Sequence, residues 1–82
     1  MKERHADSAV VIGEITIIPL KEINMYYVNN TDNLSVYVSS EPIGIVINSP
    51  QGKWAIDIQG NQVPLETYIQ KIHGLKQILE NL

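Results

Sequence analysis

Cysteine and phenylalanine are both absent from the 82 residues, and tryptophan occurs once. Without cysteine there is no disulfide, no thiolate zinc or iron–sulfur ligation and no thiol nucleophile. Basic residues are few. Six Lys and Arg against nine Asp and Glu leave a formal charge of −3, which argues against a nucleic-acid partner. No apolar run approaches the ~20 residues that span a bilayer. The opening Met1–Ser8 is charged with both signs, and the apolar stretch Ala9–Ile12 stops at Gly13-Glu14, a pattern unlike an export signal. The expectation is a cytoplasmic protein with no membrane partner. The glycines (13, 44, 52, 60 and 74) are single and scattered, so neither a P-loop nor a dinucleotide fingerprint is present. The serines lack a G-x-S-x-G elbow.

The remaining chemistry is equally sparse. His5 falls in the charged start and His73 at a helix end, with no H-x-x-x-H pair. A metal site needs three or four converging ligands, so the ordinary roles are a surface residue and a helix-terminal cation. Glu14, Glu22, Asp32, Glu41 and Asp57 are spread about one per strand or turn, which pairs no two for acid–base work. No catalytic residue, metal or cofactor is therefore expected, and the chain is read as a non-enzyme.

What is abundant is Ile and Val, which suit a pleated, half-buried surface. The length allows one domain. Residues 1–8 read as a flexible lead-in and residues 9–82 as a single α+β domain. Five strands are expected: Val10–Ile18, stopped by Pro19; Leu20–Val28; Leu34–Ser39, broken at Glu41-Pro42; Ile43–Asn48; and Lys53–Gln59. The loop Asn29–Asn33 joins the second to the third; a four-residue loop sets Tyr27 opposite Val36 and a five-residue loop sets Tyr26 there, the first being preferred because it keeps Ile23, Met25 and Tyr27 inside. Ser49-Pro50-Gln51-Gly52 carries Pro and Gly at the type I turn positions. Pairing Asn48 with Lys53 then sets Ile47 opposite Trp54, Ile45 opposite Ile56 and Ile43 opposite Ile58, all on one face. From Pro64 the period changes to 3.6. Leu65, Tyr68, Ile69, Ile72, Leu75 and Leu79 form a stripe, with Gly74 as a left-handed cap or bend. The expected architecture is a five-stranded, mostly antiparallel, strongly curled sheet with one C-terminal helix packed on its inner, isoleucine-rich face.

One helix covers one face. The other carries Tyr26, Val28, Tyr37 and Val46 among Asn24, Asn48 and serines. A small monomer seldom leaves such a patch wet. These six residues are the interface or binding candidates, and the first partner expected is a second copy of the chain. Aromatics on strands can also stack on bases, but only Lys21 and Lys53 accompany them, so packing is their ordinary role. The many Asn and Gln side chains are compatible with a pocket for a small polar ligand.

Gly13-Glu14-Ile15-Thr16-Ile17-Ile18-Pro19-Leu20, followed by Val36–Val38 and Glu41-Pro42-Ile43-Gly44-Ile45-Val46-Ile47, resembles the sporulation protein YtfJ (GerW-like) family over about residues 12–48. The family's glycine-rich insertion between these segments is replaced by Asn29–Asn33. The resemblance implies a small non-enzymatic module of a spore-forming bacterium. Two functions follow as expectations: a non-catalytic binding or assembly module acting as a homo-oligomer, or a small phage-type inhibitor or sponge that sequesters a host protein or a nucleotide-like ligand.

Overall fold

Two long antiparallel strands dominate the chain because β-branched and aromatic residues run almost unbroken on either side of the Asn-rich turn. A computed structural model describes residues 2–29 and 31–82; Met1 of the lead-in and Asn30 of the loop lie outside the described residues. The elements are β1 Lys2–Ala6, β2 Val10–Ile12, β3 Ile15–Asn29, β4 Leu34–Ser49, β5 Gly52–Asp57, β6 Gln62–Val63, α1 Leu65–Lys71 and α2 Leu75–Glu80. The sheet order is β1-β3-β4-β5-β6, with β2 also pairing β3. Every pairing is antiparallel.

This overturns the expected α+β architecture of five strands, strong curl and one helix. The sheet has six strands, is not strongly curled, and takes 59% of the residues against 16% for two short helices. Four local features account for the difference. Pro19 does not end a strand, because its carbonyl accepts from the Asp7 N–H at 2.8 Å on the edge away from β4. Its missing N–H points to that same edge, between β2 and β1, and removes no bond to β4. Pro42 likewise sits opposite Lys21, beyond the last β5 pairing at Gly44, where the register shifts and leaves Ile43 as an extra residue. Lys2–Ala6 pair with Asn24–Leu20 as an edge strand. At the other end of the chain, Gly74 adopts a φ of 84° and splits the helical stripe in two.

The β4–β5 hairpin forms the expected pairs Asn48↔Lys53, Ile47↔Trp54 and Ile45↔Ile56, but Ile43 does not meet Ile58, because Ile43 is the extra residue at the register shift and β5 ends at Asp57, opposite Gly44. The helices nevertheless cover the opposite face. Ile18, Val46 and Ala55 are 0% exposed and pack with Leu20, Tyr68, Ile72, Leu75 and Leu79. Lys53, on that same face, donates from Nζ to the Leu79 carbonyl at 3.1 Å. The reason is steric. Gly44 and Ala55 make a low floor onto which a helix can close, whereas Ile45, Ile47, Trp54 and Ile56 stand proud on the other side. A Cβ at Gly44 would run into the Ile56 carbonyl and lie 2.8 Å from the Tyr68 hydroxyl. Burying a few large aliphatics at about 1.5–3 kcal/mol each is what holds the helices down.

Gly44→Ala forces the Tyr68 ring and the β5 backbone apart, and should cost about 1–3 kcal/mol as overpacking does. Urea unfolding of the variant should show a lower midpoint with an unchanged slope; an unaltered midpoint would mean that the helices do not rest on this floor.

Candidate functional site

Beyond Asn24, the last β3 residue paired with β1, the β3–β4 ribbon continues alone. Met25–Asn29 pair with Val38–Leu34, and among the described residues no third strand pairs with Tyr26–Asn29 or with Leu34–Val38. Five residue pairs at ~3.4 Å per residue give an arm of about 17 Å. The molecule measures 57 × 22 × 20 Å with a radius of gyration of 15.7 Å, against about 12 Å for a compact chain of this length.

Alternation along the strands gives the arm two faces. One carries Tyr26, Val28 and Tyr37, the other Met25, Tyr27, Leu34, Val36 and Val38, as the pairs Tyr26↔Tyr37, Tyr27↔Val36 and Met25↔Val38 require. All of these except Met25 are exposed. Tyr27 donates its hydroxyl proton to the Met25 sulfur at 3.2 Å. The arm has no charged side chain between Met25 and Asn29 or between Leu34 and Ser40. Its second face runs into the uncovered side of the sheet, where Ile17, Ile45, Ile47, Trp54 and Ile56 are half-buried and Ile15 is exposed. No described element packs over them.

Four of the six candidate residues come together. Tyr26 and Tyr37 are cross-strand partners, Val28 follows on the same face, and Asn24, opposite Ser39, lies at the base of the arm. Asn24 is buried, and its Oδ1 has no hydrogen-bond partner. Asn48 is half-buried at the far end of β4, away from this group. Val46 is corrected outright: it is a core residue beneath the helices and faces no partner. Sequence reasoning missed Tyr27, Leu34, Val36 and Val38, which it placed inside. The available signal was Gly44 with Ala55, the small residues that mark the face where helices approach.

The ionisable groups are dispersed. Asp57 Oδ1 accepts from the N–H groups of Gln59 and Asn61, both at 2.9 Å, and so closes the turn before β6. Asp7 lies 3.5 Å from Lys21; the Ser8 N–H and the Lys21 ammonium hold its carboxyl below the usual aspartate value. Two clefts of about 310 and 290 Å³ share Arg4 and Lys71 as walls. The first adds Glu22, Ile43, Tyr68 and Ile72, the second Glu3, His5 and His73. Arg4 contacts Glu22 at 3.5 Å and His5 contacts Glu3 at 2.9 Å. Among the described residues no group of three His, Asp or Glu side chains could hold a metal ion, and no helix is long and apolar enough to cross a membrane.

No protein-family model, no curated protein and no solved structure matches this chain.

Burial and the nearby Asp57 carboxylate push the Tyr68 hydroxyl above the ordinary tyrosine value of 10.0. The unfolded chain therefore ionises first. Stability contributed by the neutral ring is intact below about pH 10 and is lost as pH rises through the folded value. Denaturant midpoints measured across that range should fall, and Tyr68→Phe should reduce the slope of the fall; an identical slope in the variant would contradict this.

Proposed function

We propose that this chain is a small non-catalytic binding and assembly module that works as a homo-oligomer. The observation that carries the reading is the arm, whose two faces are both apolar and both exposed. Tyr26, Tyr27 and Tyr37 are 56%, 62% and 59% exposed. At 150–250 Å² for an aromatic side chain, each leaves roughly 100 Å² in water. Val28, Leu34, Val36, Val38 and the bare isoleucine face add to that. The total passes the few hundred Å² that monomers ordinarily expose and approaches the ~800 Å² per partner of a standard interface. A covering subunit would also add apolar burial to a domain whose helices shelter one side only. The resemblance to the YtfJ (GerW-like) family points the same way, toward a module without chemistry of its own.

Size-exclusion chromatography with light scattering at about 100 µM, a hundredfold above a micromolar Kd, should report more than one subunit. Tyr37→Glu should reduce the mass to one subunit with an unchanged far-ultraviolet spectrum. Val46→Asp should instead unfold the chain, because it buries an unpaired charge. A wild-type monomer at that concentration overturns the reading.

Sequestration of a small anionic, nucleotide-like ligand is the second reading. What favours it is the pair of clefts, which gather the single arginine, both histidines and Lys71 in a chain of net charge −3. Native mass spectrometry of the purified protein with added ribonucleotides should then show a one-to-one adduct that Arg4→Ala with Lys71→Ala abolishes. An adduct that survives this double substitution, or no adduct, removes the sequestration reading.

A further inference from the structure

Both edges of the arm are open, but they are not equivalent. On the β3 side the open stretch is short, confined to Tyr26–Asn29. On the β4 side it is longer, from Leu34 to the proline at 42, because β5 begins pairing only at Gly44. Open edges are ordinarily blunted by lysine, proline, inward charge or a bulge. Here the proline and the extra residue Ile43 stand at the base of the arm, and the seven residues Leu34-Ser35-Val36-Tyr37-Val38-Ser39-Ser40 carry none of these devices.

This stretch also has an internal symmetry. Ser35-Val36-Tyr37-Val38-Ser39 reads the same in both directions. When an antiparallel strand meets a copy of itself across a two-fold axis, each residue faces the one equally far on the other side of the axis. An axis at Tyr37 sets Tyr37 against Tyr37, Val36 against Val38 and Ser35 against Ser39. Like therefore meets like on each face: valine pairs on the side of Met25 and Tyr27, serine and tyrosine pairs on the side of Tyr26. Leu34 then meets Ser40, and Asn33 meets Glu41, so no like charges are opposed. The same geometry keeps the two bodies apart. The partner's β4 begins at Leu34, opposite Ser40, whereas β5 pairing begins only at Gly44, so neither β5 obstructs the pairing.

We propose that two copies of this chain join through the outer edge of β4, antiparallel and centred on Tyr37, making a continuous four-stranded arm with a body at each end. The proposal rests on the homo-oligomer reading above and specifies its register. Backbone hydrogen bonds supply the attraction, and the apolar pairs select the register.

The absence of cysteine makes the test clean, since one introduced thiol is the only one present. Residues directly opposite in an antiparallel pair have Cα atoms about 4.5–5.5 Å apart, within the roughly 4.4–6.8 Å range of a disulfide. Tyr37→Cys should therefore convert to a covalent dimer under mild oxidation. Ser35→Cys alone and Ser39→Cys alone should not, because each thiol lies about 14 Å from its own copy, four residues along the strand. An equimolar mixture of the two serine variants should cross-link, and it leaves Tyr37 in place should that ring be needed for association. Light scattering on the reduced variants gives the oligomeric state independently. An oligomer in which neither Tyr37→Cys nor the serine mixture cross-links overturns the edge pairing and leaves self-association standing. Cross-linking of Ser35→Cys or Ser39→Cys alone, as readily as the mixture, overturns the register. A monomer in every case overturns both.

Discussion

The structure depends on one close approach, that of two short helices onto a floor of small residues. Gly44 and Ala55 lie low enough for the Tyr68 hydroxyl to come close to Gly44, and Ile18, Leu20 and Val46 complete the surface that Tyr68, Ile72, Leu75 and Leu79 cover. Apolar burial is roughly proportional to the area removed from water, so the side that permits the tighter seal takes the helices even though the other side carries the larger residues. That choice leaves an isoleucine and tryptophan face without cover.

The second consequence is a division along the long axis. The helices reach only the body, and β1, β2 and β5 flank only the body's strands. The register shift beside Lys21 and the proline opposite it come where this flanking stops on the β4 side. On the β3 side β1 continues to Asn24; from Tyr26 onward no third strand pairs with the ribbon among the described residues, and its side chains move from buried or half-buried to exposed. A two-stranded ribbon alone in water is marginal. The arm is thus the part of the chain on which the proposed self-association rests.

Much of this was legible before any coordinates. The turn at Ser49–Gly52 set one hairpin register, because side-chain alternation leaves little room for slippage; the Asn-rich loop left two registers open, of which the one that sets Tyr27 opposite Val36 is formed. The 3.6-residue stripe from Leu65 to Leu79 marked the residues that bury, with Tyr68, Ile72, Leu75 and Leu79 all in the core. Tyr26, Val28 and Tyr37 were expected on the face the helix leaves bare; they lie instead on the helix side of the sheet and are exposed because the helices do not reach the arm. The strand breaks assigned to Pro19 and Pro42 were not real, because proline's missing donor matters only when it points at a paired neighbour, and that direction is a property of the sheet. Val46 was assigned to the wrong side for a related reason: in a hairpin whose two faces are both apolar, alternation separates the faces without saying which is covered.

By itself, then, the chain's order of residues determined period, turn, register and the absence of thiol chemistry, all of which are local consequences of backbone geometry and residue type. Only the tertiary structure decided which side the helices would choose, where the flanking strands would end and how much ribbon would be left bare. Those outcomes turn on how closely distant elements can approach, and that distance is set by Gly44 and Ala55 acting together across two strands.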